Sequence, residues 1–378
     1  MTLARPPVDR RGFLALSAAA LLGGCGPRGG LTFVAERPAG DGVIQQILVA
    51  TTRQRVEGQP VFDKIRVDPP TYAEFEVWVP PQRELGSVTF PEQDPPNLDT
   101  DFVTVSARTL AGEDAFVAAI NAELAAHPEY EGRAMIFVHG YNTNFAEGLY
   151  RHAQLLQDYG RRAPSVHFAW PSAASAKGYV FDRESALFSR DGLERVLNAM
   201  ARSNARQINL VAHSMGCFLM METLRTMARV GSRSVFDKVN AVILLSPDIE
   251  IDVFRTQAPP VLAQGVPIFV VVSTRDRALL ISAVIRAERT PRVGSISSPA
   301  ELGPIDVTVI DLSNVNAGGG MGHFALARSP ELINMLNGMR RQGIDILETQ
   351  QQQGIFDSSI SLIQQGADIL LAPIAPTP

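Results

Sequence analysis

The chain has little cysteine, little charge and no long apolar run. Its 378 residues hold two cysteines, Cys25 and Cys217, too few for a disulfide framework. No Cys/His cluster has metal-ligand spacing, so no metal is expected. Charged residues make up 19% and the net charge is −5, a balance that offers no general attraction to nucleic acid. Neither a G-x-G-x-x-G run nor a Walker loop occurs, and no cofactor is expected. No internal repeat is visible. What remains is a 46% hydrophobic chain, ample for one large α/β core.

The amino terminus carries an export signal. Arg5, Arg10 and Arg11 precede the apolar run from Phe13 to Leu22, and Leu22-Gly23-Gly24-Cys25 closes it. That run is shorter than the roughly twenty residues of a membrane span. Arg10-Arg11 followed by Gly12-Phe13-Leu14 resembles a twin-arginine signal, and Leu-Gly-Gly-Cys resembles a lipoprotein processing site. Cleavage there makes Cys25 the lipid-bearing first residue, and two or three acyl chains give a stable membrane anchor. The bland alternative is a general secretory signal with an incidental cysteine. Cys217 is then left alone, a small buried hydrophobe.

The chemistry centres on Val211-Ala212-His213-Ser214-Met215-Gly216, with apolar residues on both sides. A strand, a sharp turn and a helix in this order present a serine as a nucleophile. The turn brings strand and helix close together, so the positions two before and two after the serine must be small. They are Ala212 and Gly216. The commoner pattern has glycine at both, and a lone match of this kind means little without its partners.

Those partners are expected in the order serine, acid, histidine. Of six histidines only His323 follows Ser214, and it sits in a glycine-rich stretch just after the apolar run Ile305 to Leu312. For the acid, the buried-strand pattern Pro267 to Val272 leads into Ser273-Thr274-Arg275-Asp276. Asp276 there would accept the Nδ1 proton of His323 and hold its tautomer. Asp248 is the rival, following the apolar strand Asn240 to Leu245; otherwise Asp248, Glu250 and Asp252 form a solvated loop. Two N–H groups are expected to receive an oxyanion, those of Met215 and of Tyr141, the latter in His139-Gly140-Tyr141 after the strand from Arg133 to Val138.

Phe137-Val138-His139-Gly140-Tyr141-Asn142-Thr143, Phe168-Ala169-Trp170-Pro171-Ser172, the elbow at Ser214, and Ser273-Thr274-Arg275-Asp276-Arg277-Ala278-Leu279 occur in one order. Together with Ala50-Thr51-Thr52-Arg53 they resemble a family of bacterial α/β-hydrolase-fold proteins of unassigned function, from about Ile47 to about Leu336. The resemblance implies that fold, and a triad of Ser214, Asp276 and His323. It implies no substrate.

The expected architecture is an α/β-hydrolase fold, a mostly parallel doubly wound sheet with N-terminal antiparallel strands and little or no lid domain. Residues 1–24 are a signal peptide, 25–42 a lipidated tether rich in Gly and Pro, 43–343 the hydrolase domain and 344–378 a C-terminal tail. Expected strands lie at 47–50, 73–79, 102–106 and 165–169, and expected helices at 114–126 and 183–202. Asn144 and Glu147 form a capping box for the helix ending near Gly160. Trp170, Tyr179 and Phe181 offer aromatic surface for a pocket, or for the core.

Three functions fit. The first is an envelope serine hydrolase of the esterase or lipase kind, lipid-anchored in the periplasm and acting on carboxylic esters. The second is an acyltransferase with the same triad. The third is a non-catalytic binding or scaffold protein that keeps the fold.

Overall fold

The computed structural model describes residues 28–160, 163–274 and 291–313, with Ile333 and the backbone of residues 368–371. The amino-terminal third supplies β1 (Val43–Arg55), β2 (Phe62–Val79) and β3 (Val103–Leu110), then α1 (Glu113–Ala126). β4 (Arg133–Val138), α2 (Phe145–Asp158) and β5 (Ser165–Ala169) follow. Next come α3 (Tyr179–Phe188), α4 (Arg190–Arg202), β6 (Gln207–His213) and α5 (Met215–Val230). β7 (Val239–Leu245), α6 (Ile251–Leu262), β8 (Ile268–Val272), β9 (Thr308–Asp311) and β10 (Asp368–Leu371) complete the order.

All ten strands join one sheet in the order β10-β9-β8-β7-β6-β4-β5-β1-β2-β3. β4 to β9 are parallel, β1 pairs parallel with β5 and antiparallel with β2, and β10 runs antiparallel to β9. The chain leaves β4 toward β5 on one side and returns to β6 on the other, so the strand order reverses between β4 and β6. Ligands of open α/β sheets bind at the carboxyl ends of the strands at such a point. Val138, Ala212, Leu244, Val270 and Val309 lie level across five strands, which brings their following loops to one rim.

Both faces of the sheet are covered, as a parallel sheet requires. One apolar cluster joins Ile136, Val138 and Ala212 to Leu193, Phe218 and Phe254 of the helices. The other joins Met135, Phe137 and Val211 to Leu149 and Ala153 of α2. The capping box of α2 is present: Glu147 N–H donates to Asn144 Oδ1 at 2.8 Å and Asn144 N–H to Glu147 Oε2 at 2.9 Å.

Several expectations are corrected. The tether expected to run to residue 42 is bound to the domain from Arg28 onward. Arg28 donates to Asn142 and Glu147, and Thr104 N–H donates to Thr32 O at 2.8 Å. The single helix expected over 183–202 is two, because Ser189 Oγ bonds back to Ser185 O at 2.8 Å and meets Thr52 Oγ1 at 2.8 Å. A helix not expected at all, α6, makes the crossover between β7 and β8. It fills the interval where a lid domain could be inserted. Residues 368–371, within the expected tail, extend the sheet at its edge. No helix among the described residues is long and apolar enough to cross a membrane.

Candidate active site

Ser214 stands between β6 and α5 with φ 54° and ψ −123°, in a region that an L-residue enters at a cost of about 1–3 kcal/mol. Neighbouring backbone holds it there. Its N–H donates to Leu245 O at 2.9 Å, and its carbonyl accepts from Asp248 N–H at 3.2 Å. The requirement for small residues is met in space as well as in sequence. A Cβ on Gly216 would lie 2.4 Å from His139 O, and one on Gly140 would lie 2.9 Å from Ser214 Cβ and 2.5 Å from His213 Nδ1. The strand-end loop of β4 therefore lies directly against the serine. Met215 is the first residue of α5, so its N–H belongs to the unpaired first turn at the positive end of the helix.

The loop 139–144 is fixed from several directions. Trp170 Nε1 donates to His139 O at 2.7 Å, and the two rings stack at 4.9 Å. Asn142 N–H donates to Asp182 Oδ2 at 3.0 Å, and Thr143 N–H to Ser172 Oγ at 3.1 Å. The buried Arg53 donates to Thr143 O at 2.9 Å, and Tyr141 OH donates to Ala176 O. His139 Nδ1 lies 2.9 Å from Gly140 O and Nε2 lies 3.0 Å from Trp170 O. Burial, then the charge on Arg53, pushes its pKa down to about 3. The ring is thus neutral and donates to one carbonyl at a time. With the Gly140 carbonyl turned toward this ring, the Tyr141 N–H points the opposite way across the trans peptide.

Asp182 takes hydrogen bonds from Ser172 Oγ at 2.6 Å, Ala173 N–H at 2.6 Å and Asn142 N–H at 3.0 Å. Burial raises its pKa, opposed by those donors and by Arg53. Arg53 itself is lowered to about 10 by burial and stays charged at neutral pH. Neither residue was assigned a role from the sequence, although Arg53 and Ser172 belong to the segments that carry the family resemblance. Their partners lie far away along the chain.

Asp248 is not part of a solvated loop; it is 1% exposed. Tyr179 OH donates to its Oδ2 at 3.0 Å, and Arg292 Nε lies 3.3 Å from its Oδ1. Arg292 also reaches Glu250 at 3.2 Å. Oδ2 thus holds a hydrogen bond, whereas Oδ1 faces the Arg292 charge and accepts no hydrogen bond among the described residues.

Asp276 and His323 lie outside the described residues, as does Cys25. The nearest described residues before each of the first pair, Thr274 and Ser313, are joined. Thr274 N–H and Thr274 Oγ1 both donate to Ser313 Oγ at 2.9 Å. Among the described residues, no group of three or more His, Cys, Asp or Glu could hold a metal ion.

Residues 113–340 match the family model described as alpha/beta hydrolase of unknown function (DUF900). The chain belongs to this family. Its fold is likewise similar to that of Thermogutta terrifontis esterase 2 phosphorylated by paraoxon, at 11% identity over 78% of this chain and 99% of that one, with a TM-score of 0.29. The same esterase phosphonylated by sarin gives 11% identity over 78% of this chain and 98% of that one, with a TM-score of 0.28. No curated protein matches the chain.

In this α/β hydrolase Cys217 is fully buried, and burial raises its thiol pKa well above the usual value. A thiol so placed is inert. Of the aromatic residues expected for a pocket or for the core, Trp170 and Tyr179 are buried, and Phe181 is exposed. A cavity of about 260 Å³ lies beside the 139–143 loop, lined by Phe137, His139, Asn142, Glu147, Phe90 and Arg28 among others.

Proposed function

We propose that this hydrolase cleaves carboxylic esters by an acyl-enzyme mechanism at the cell envelope. Ser214 is the nucleophile, His323 the general base and Asp276 the carboxylate that orients it. The N–H groups of Tyr141 and Met215 receive the oxyanion. The observation that carries this reading is the strained Ser214 at the head of α5 with the Gly140 backbone packed against it. In this reading one donor comes from the head of a helix and the other from a braced loop, and fixed donors of that kind are the most effective.

In the reaction, Ser214 Oγ attacks the ester carbonyl and its proton passes to His323. The tetrahedral oxyanion collapses, the C–O bond to the alcohol breaks, and the alcohol leaves with the proton from His323. Water then attacks the acyl-enzyme, again through His323, and releases the acid and the free serine. The pairing of Thr274 with Ser313 supports Asp276 as the acid, since the described residues nearest before Asp276 and His323 are bonded to each other. The ion pair of Asp248 with Arg292 and its bond from Tyr179 weigh against the rival. The amino-terminal signal with Cys25 supports export and lipid anchoring.

A fluorophosphonate probe tests the chemistry. The wild-type chain is expected to be labelled, and Ser214→Ala and His323→Ala are not. Absence of labelling in well-folded wild-type protein refutes the activated serine.

A further inference from the structure

Arg28 lies ahead of β1, yet its side chain makes five hydrogen bonds, as many as a guanidinium has N–H groups. It donates to Asn142 Oδ1 at 2.6 Å, to Asn142 O at 2.7 Å and to Glu147 Oε1 at 2.9 Å, and also to Ala174 O and Glu147 Oε2. A surface ion pair with Glu147 alone would contribute little. The two carbonyls are the informative partners. Asn142 has φ 55° and Ala174 φ 52°, the left-handed region that an L-residue keeps only when its surroundings hold it there. One planar guanidinium thus caps both strained residues and joins the loop after β4 to the loop after β5.

The segment that carries Arg28 is itself seated on the domain. Asn144 Nδ2 donates to Gly29 O at 2.9 Å, Thr32 N–H to Tyr150 OH at 3.3 Å, and Val34 N–H to Thr104 O at 3.2 Å. A Cβ on Gly29 would lie 2.2 Å from the Phe90 ring, so the chain runs directly over that ring. Phe90 in turn stacks on Tyr150 at 5.2 Å. Asn142 is the residue after Tyr141. Its N–H is held from the buried side by Asp182 at 3.0 Å, and its carbonyl is held from the outer side by Arg28. With both peptide planes of residue 142 fixed, the torsions open to Tyr141 narrow with them.

We propose that Arg28 is a positioning residue for the oxyanion loop, holding the Tyr141 N–H in place through the Asn142 and Ala174 carbonyls, so that the segment before β1 is a working part of the site. The proposal rests on the serine hydrolase reading above. It requires the planar fork and not the charge alone: a lysine ammonium cannot meet two carbonyls, a side-chain amide and a carboxylate from one plane. A leader removed before Cys25 leaves the arginine on the mature chain.

The test compares the full chain with its Arg28→Ala and Arg28→Lys variants, reading the rate of fluorophosphonate labelling against probe concentration beside the urea midpoint. Arg28→Ala is expected to lower the limiting rate about tenfold, less than the hundredfold or more that outright loss of an oxyanion donor costs. The half-saturating probe concentration is expected to stay near that of wild type, because a displaced donor is missed in the transition state and not in probe binding. Arg28→Lys is expected to label as slowly as Arg28→Ala. The side chain is 36% exposed, so free guanidinium can enter the space that Arg28→Ala leaves. Millimolar guanidinium, far below its denaturing molar range, is expected to speed labelling of Arg28→Ala and not of wild type, whereas sodium chloride at the same strength does neither. Labelling of Arg28→Ala at the wild-type rate overturns the proposal, as does full activity in Arg28→Lys, which would leave only the charge. Slow labelling that guanidinium does not restore, accompanied by a lowered urea midpoint, makes Arg28 a support of the fold and overturns it too. Wild-type protein that takes no label overturns the serine reading itself, an outcome distinct from all of these.

Discussion

Asp248 Oδ1 lies 3.3 Å from Arg292 Nε, and the two side chains are 1% and 4% exposed. Removing one partner of a buried ion pair leaves the other charge uncompensated. Asp248→Asn is therefore expected to lower unfolding free energy by about 3 kcal/mol, read from urea denaturation. Asp276→Asn is expected to leave stability nearly unchanged while abolishing ester turnover. The reverse pattern would transfer the catalytic acid to Asp248.

Ser214 holds φ 54°, which glycine adopts freely. Ser214→Gly is expected to gain about 1 kcal/mol in stability while losing all phosphonate labelling. Scanning calorimetry beside the labelling gel reads both. A destabilised Ser214→Gly would mean that the hydroxyl supports the fold.

Gly216 has no room for a methyl group, since its Cβ would fall 2.4 Å and 2.7 Å from two backbone oxygens. Backbone cannot rotate aside as a side-chain tip can. Gly216→Ala is expected to cost about 2–4 kcal/mol and to widen the elbow, with labelling slowed in whatever protein folds. A melting temperature equal to wild type contradicts this account.

Asp182 gathers three donors and so ties Asn142 to the segment after β5. An amide oxygen at that position accepts fewer of them. Asp182→Asn is expected to slow fluorophosphonate labelling by about tenfold or more, with stability changed less than in Asp248→Asn. Labelling at the wild-type rate would show that the loop holds its donor without this brace.

His139, His152 and His167 stand close together in the core, with ring centroids 5.6 and 5.7 Å apart. Burial pushes His139 and His152 down to about 3 and His167 well below its usual value. Folded, they stay neutral, whereas the unfolded chain takes up protons on them near pH 6.5. The unfolded state therefore binds more protons below that pH, and the stability is fully present above it and lost as pH falls toward 3. Each histidine contributes up to about 1.4 kcal/mol per pH unit. Urea midpoints from pH 7 to 4.5 should fall, and His152→Phe, whose ring would pack against Phe137, should make the slope shallower. An unaltered slope in that variant would falsify the linkage.

The strands at 165–169 and 268–272 were legible because buried parallel strands are short unbroken apolar runs rich in β-branched and aromatic residues. α6 was not legible. Pro259 and Pro260 stand near its end, and prolines of that kind normally mark a helix boundary. The break at Ser189 was equally hidden, since a serine in a helical pattern looks neutral until its hydroxyl finds a carbonyl and the Thr52 side chain. The clamp at Arg28 is hidden in the sequence, because glycine and proline composition describes the backbone and not the partner that an arginine meets.

By itself the sequence determined what depends on near neighbours: the small residues around Ser214, the Asn144–Glu147 cap, the apolar runs and the order of the family segments. Their physics is local sterics, local hydrogen bonding and burial of a strand, all of which act within a few positions. Tertiary structure alone decided that Asp248 belongs to Arg292 and Tyr179, that Arg53 and Asp182 brace the loop beside the serine, and that Asp182 and Ser185 of α3 turn inward. Those outcomes depend on which charges and donors the fold brings within about 3 Å of one another, and spacing along the chain carries no record of that distance.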